Sequence, residues 1–237
     1  MDSTDLAGST TADPVPEPDP RRMVALIVGG AAAVLFVSLR VVVALGGEEP
    51  LPIDVWWHDL MVEGRADALL ILAWIPAIGG GTIGMIAVGI LLITVFAVLH
   101  RKWDAVNVGL AIVIVVAIGA PMASIVGRVR PADSLAETVD TSFPSGHTAV
   151  ATTVMITLAL LLRRWYVWVL AVFWVVLMAW SRTYLSAHWV SDVVGGLLEG
   201  IAVACLVWVA VEALRDRRAR VHLADPARPG DLRDVRG

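Results

Sequence analysis

The stretch TSFPSGHTAVATTVMITLALLL, residues 141–162, begins with a polar segment and then runs apolar, without a charged residue, to Leu162. Pro144-Ser145-Gly146 immediately before the run reads as a helix start, which puts His147 at the mouth of a hydrophobic helix. The free backbone N–H groups of such an end, together with the helix dipole, make a natural anion site. The rest of the chain shows what kind of helix this is. Of its 237 residues 58% are hydrophobic and only 17% are charged, and its mean hydropathy is +0.77. That mix belongs to an integral membrane protein.

Apolar runs recur at about 23–45, 68–99, 105–126, 147–162, 165–181 and 190–213. Each is near or above the roughly 20 residues that cross a hydrocarbon core, with the fourth and fifth on the short side. The 68–99 run is too long for one simple span. Pro76 and the GGGTIG stretch at Gly79–Gly84 divide it into an outer interfacial helix at 68–78 and a span at 82–99. The expected fold is all-α: a six-transmembrane-helix bundle over 22–213. A disordered acidic, proline-rich tail at 1–21 precedes it and a basic tail at 214–237 follows. The first apolar run starts only after Arg21-Arg22 and is long enough to span, so a retained first helix is expected instead of a signal peptide.

Charge placement sets the expected orientation. Lys102 is the one lysine in the sequence. With six spans, thirteen of the Lys and Arg residues share a side: Arg21, Arg22, Arg101, Lys102, Arg163, Arg164 and the seven arginines from Arg215 to Arg236. Arg65, Arg128, Arg130 and Arg182 lie on the other. The richer side is the cytoplasmic one by the positive-inside rule, so both termini are expected inside. A nucleic-acid partner is excluded, because the chain has no clustered basic face outside its tail. Cys205, the one cysteine, sits in an apolar run and reads as packing.

The outer side is where the chemistry collects. Arg128 and Arg130 fall in VGRVRP, His147 in FPSGH, and Arg182, His188 and Asp192 in SRTYLSAHWVSD. His188 and Asp192, four apart, would share a face where the sixth span begins. A carboxylate there can keep one ring nitrogen protonated and leave the other free as nucleophile or base. Arginines supply planar donors matched to phosphate oxygens. Two histidines, an oriented carboxylate, two or three arginines and a helix N-terminus form a set suited to phosphoryl transfer without a metal.

These three segments resemble the signature motifs of the type 2 phosphatidic acid phosphatase superfamily. The group includes membrane lipid phosphatases, polyprenyl diphosphate phosphatases, glucose-6-phosphatases and vanadium haloperoxidases. The second motif matches at Pro144, Ser145, Gly146 and His147, and the third at Ser181, Arg182, His188 and Asp192. The resemblance implies roles residue by residue. His188 would attack phosphorus and form a phosphohistidine, with Asp192 orienting it. His147 would protonate the leaving oxygen and then help to activate water. Arg130, Arg182, Ser145 and the Gly146 backbone would hold the phosphoryl oxygens. One departure stands out: the family's first motif usually opens with a lysine seven residues before the arginine of Arg-Pro, and Ala123 occupies that place. Arg128 is the candidate replacement cation.

Glu199, an acid inside an apolar run, lies seven residues beyond Asp192 and so ~10 Å deeper on the same face. It is expected either to pair with Arg40 and support the site from below, or to sit hydrogen-bonded in the bundle. His58 is expected on an interfacial helix beside Asp54 and Asp59, with its polar residues facing water.

The expected activity is hydrolysis of a lipid-linked phosphate or diphosphate without cofactor or metal, at an outward-facing site in a bacterial plasma membrane. A polyprenyl diphosphate is the favoured substrate, and phosphatidic acid or phosphatidylglycerol phosphate the runner-up. Two further readings stand beside it: a phosphotransferase, and a weakly active lipid-binding relative lacking the motif lysine.

Overall fold

A computed structural model describes residues 19–47, 49–137 and 141–224 of the chain. Most of the tail expected at 1–21 lies outside the described residues, as does 225–237 of the basic tail. The described residues form eight helices: α1 (Pro20–Leu45), α2 (Pro52–Glu63), α3 (Asp67–Gly79), α4 (Thr82–Val98), α5 (Lys102–Val126), α6 (Gly146–Leu162), α7 (Trp165–Tyr184) and α8 (Val190–Ala224). Among them there is no strand, only an isolated bridge between Val129 and Thr141.

By length and composition α1, α5, α7 and α8 can each cross a membrane, and α3 with α4 can form one further span bent by 49°. α6 is apolar but only 17 residues long. The outward faces of α1 and α7 expose large apolar side chains such as Ile27, Leu35, Val169 and Phe173. An apolar perimeter of this extent is costly in water and suits lipid, so the protein is an all-helical membrane protein. α3, which covers the segment expected as an outer interfacial helix at 68–78, packs against α7. Its Ala73 is fully buried, and the Ala73 carbonyl accepts a hydrogen bond from Ser181 Oγ of α7 (2.6 Å).

α6 runs through the centre of the bundle against α5, α7 and α8. Its buried residues are mainly small, among them Ala149, Ala151, Thr152 and Thr153. α8 answers with glycines: a Cβ built at Gly196 would stand 2.4 Å from the Ser145 carbonyl oxygen, and one at Gly200 would stand 2.6 Å from Thr152 Cβ. Backbone-to-backbone packing of this kind is what small residues permit in a membrane. It also fixes how the N-terminus of α6 meets that of α8. α8 continues as a helix to Ala224, beyond the expected span end at 213.

Candidate active site

The three polar segments meet at one end of the bundle. Gly127 ends α5 in a left-handed conformation (φ 63°) and turns the chain into Arg128–Pro131. The Ser142 amide donates to the Arg128 carbonyl (2.8 Å), the Leu135 amide to the Leu185 carbonyl (3.0 Å), and the Ser145 amide to the Asp192 carbonyl (3.0 Å). These backbone bonds lock the loop before α6 to the turn before α8.

His188 is 5% exposed and its ring nitrogens have separate tasks. Nδ1 lies 2.8 Å from the Ser142 carbonyl oxygen, an acceptor only, so Nδ1 carries the proton. Nε2 then keeps its lone pair, and Arg130 Nη1 approaches it to 3.2 Å. Burial, followed by the charges of Arg130, Arg182 and His147, holds the His188 imidazole well below its ordinary value. A neutral ring with one free lone pair is the form a nucleophile needs.

Asp192 does not make the bond to His188 that the four-residue spacing suggests. Its Oδ2 is 3.9 Å from Nδ1 and instead accepts the Trp189 amide (2.9 Å), while Oδ1 accepts from Arg128 Nη1 (2.5 Å). Asp192 thus fixes the turn that carries His188.

Arg130 donates to the carbonyls of Ala187 and Thr141, the latter at 2.5 Å. Burial lowers its guanidinium from the ordinary value, against the pull of the Glu137 and Asp192 carboxylates. Arg182, 1% exposed, donates through Nη2 to Glu137 Oε1 (2.6 Å), and the same oxygen lies 3.7 Å from His147 Nδ1. Ser145 stands at the N-cap position of α6, is fully buried, and has its hydroxyl 3.1 Å from Thr148 Oγ1. Gly146 is the first residue of α6, so its N–H belongs to the helix end that no intrahelical carbonyl satisfies.

Two expectations need correction. Arg128 is not a phosphate ligand: it is fully buried, its Nη1 on Asp192 and Ser191 and its Nη2 on Asp54, all at 2.5–2.6 Å. Two carboxylates outcompete the cleft for it. Glu199 does not pair with Arg40, whose Nε points to Met122 Sδ (3.2 Å). Both Glu199 carboxylate oxygens are buried with no hydrogen-bond partner among the described residues. Ala123, at the expected lysine position, is half-buried in the last turn of α5.

Glu137 and Asp54 are site residues that motif spacing did not find. Glu137 lies between motifs, in the loop after Pro131. Asp54 sits far upstream in PIDVWWHDL, where it looks like one polar residue of an amphipathic helix. His58 finds its carboxylate partner outside the three motifs. Its Nε2 is 3.3 Å from Asp133 and its ring is 5.4 Å from that of Trp189. With Arg65, which donates to Asp133 (2.9 Å) and Ser186 Oγ (2.5 Å), it braces the turn at Ser186, a residue in the left-handed region (φ 49°).

Comparison with known proteins agrees with this geometry. Residues 104–216 match the PAP2 superfamily and enclose all three motifs. An undecaprenyl-diphosphatase of Sulfolobus acidocaldarius is 29% identical over 123 residues, 48% of this chain and 59% of that protein. YbjG of Escherichia coli K12, provisionally named an undecaprenyl-diphosphatase, is 40% identical over 103 residues, 40% of this chain and 51% of that one. The matches thus span little more than half the length of these relatives. The crystal structure of a transmembrane PAP2-type phosphatidylglycerolphosphate phosphatase from Bacillus subtilis superposes with a TM-score of 0.70 at 22% identity, covering 78% of this chain and 96% of the other, and shows the same fold. The motifs and the site geometry they build fall within the stretch of the chain, residues 104–216, that matches the PAP2 superfamily.

Proposed function

We propose that the protein is a membrane phosphatase that hydrolyses a lipid-linked phosphate or diphosphate, with polyprenyl diphosphate favoured. The observation that carries the reading is the neutral, buried His188, with Nδ1–H on the Ser142 carbonyl and the Nε2 lone pair beside Arg130. In this proposal Nε2 attacks phosphorus, a P–N bond forms and the P–O bond to the leaving group breaks. His147 gives its proton to the departing oxygen. His147 then takes a proton from water as that water attacks phosphorus and cleaves the P–N bond. Arg130, Arg182 and the Gly146 N–H hold the phosphoryl oxygens. Glu137 lies on Arg182 where a phosphoryl oxygen would bind, so substrate exchanges one anion for another.

Placement supports the substrate class. A site at helix ends takes a headgroup while the chain stays in lipid, which avoids a transfer cost of about 0.8 kcal/mol per CH₂. The undecaprenyl-diphosphatase names of the two relatives support the polyprenyl choice. The same proposal includes six crossings, with α3–α4 as one and α6 as another, in a bacterial plasma membrane with both termini cytoplasmic and the site outside.

The test is phosphate release by purified protein, with chelator present, from polyprenyl diphosphate, phosphatidic acid and phosphatidylglycerol phosphate. Release that His188→Ala loses is expected, fastest from the diphosphate. A folded wild type silent on all three lipids would overturn the reading and favour transfer or binding.

A further inference from the structure

The three motifs all lie between residues 123 and 192, yet the buried cluster behind His188 is completed by a residue from α2. Asp54 is fully buried. Its Oδ2 accepts from Arg128 Nη2 (2.5 Å), Ser191 Oγ (2.8 Å) and the Leu51 amide (2.9 Å), and its Oδ1 accepts the Ser191 amide (2.8 Å). Arg128 in turn bonds Ser191 Oγ (2.6 Å) and Asp192, and Asp192 holds the Trp189 amide. The bonds therefore run without a break from α2 to the residue after His188.

Stability alone is a weak reason for such a cluster. Two carboxyl groups and a guanidinium withdrawn from water cost several kcal/mol each in desolvation, and apolar residues of similar volume often serve the fold as well. What the cluster supplies is a fixed geometry. Arg128 has two ends in its fork: Asp192 takes one and Asp54 the other, so neither the guanidinium nor Asp192 can turn away independently. With two carboxyl groups to one guanidinium, the cluster also places formal negative charge beside a ring that becomes cationic when phosphorylated.

We propose that Asp54 is a positioning residue for catalysis, which through Arg128 and Ser191 fixes Asp192 and the His188–Trp189 turn, and so makes the outer helix α2 part of the machinery. This rests on the phosphatase reading above.

The test is Asp54→Asn, nearly the same shape, assayed beside wild type with thermal unfolding, kcat and KM measured separately, and hydrogen exchange followed over residues 186–193. A folded variant should lose at least tenfold in kcat with KM within twofold, and exchange in that segment should quicken. A folded Asp54→Asn with wild-type kcat, or a loss confined to KM, overturns the proposal. If Asp54→Asn does not fold, Ser191→Ala decides, because it removes one hydroxyl bridge and keeps both ion pairs. It should lose severalfold in kcat at constant KM, and unchanged kcat overturns the proposal. If wild type itself turns over no lipid, the phosphatase reading fails separately, and exchange alone then tests the positioning: faster exchange in Asp54→Asn supports it and unchanged exchange refutes it.

Discussion

At His188 the bond that fixes the ring goes to a backbone carbonyl, and that has a measurable consequence. The ring is neutral in the fold, whereas in the unfolded chain it takes up a proton below its ordinary value of about 6.5. Unfolding therefore binds a proton in that range, and the stability tied to the neutral ring is complete above about pH 6.5 and is lost as pH falls below it, at up to ~1.4 kcal/mol per pH unit. Wild type should lose more thermal stability between pH 7.5 and pH 5 than His188→Gln, and parallel slopes would contradict the assignment. Glu137 gives a second prediction. Glu137→Gln removes the anion that competes for Arg182, so KM should fall severalfold with kcat nearly constant; a large loss of kcat would mean that Glu137 instead serves His147. Motif spacing marked His147, His188, Arg130 and Arg182, and it misread Arg128, which is held by Asp54 and Asp192. The Ser142 acceptor was not legible, because every residue carries a carbonyl, and the four-residue spacing of His188 and Asp192 gave proximity without the bond.

The elements that hold the site are set by small residues. Gly196 lets α8 approach the Ser145 carbonyl, and Gly196→Ala has to displace the Pro144–Gly146 turn or the helix. Overpacking of this kind typically costs about 1–3 kcal/mol. The variant should melt lower and lose activity together, by thermal unfolding and phosphate release, whereas Gly30→Ala, which meets nothing within 4 Å, should change neither. The glycine break at residues 79–81 has a similar use, since a Cβ at Gly81 would stand 3.0 Å from His147 Nε2. Sequence located that break and the helix start at Gly146 correctly. It did not reveal that α3 packs on α7, because an apolar run of that length does not say which neighbour it meets.

For the molecule as a whole, the arginine asymmetry and the apolar perimeter bear on orientation. Cys205 is buried and provides a quiet background for single-cysteine labelling. Leu135→Cys, on the exposed loop beside the site, should react with a membrane-impermeant maleimide in intact cells, and Arg164→Cys only after permeabilisation; the reverse pattern would invert the proposed topology. Long apolar runs made the helical class readable from composition, whereas the pairing of Arg128 with Asp54 depended on how distant segments fold together. The most direct test of the central claim is to quench the protein during turnover of phosphate-labelled lipid and map the label. The expected result is an acid-labile, alkali-stable phosphoryl group on the peptide carrying His188, absent from His188→Ala. Steady phosphate release that survives His188→Ala would contradict the account.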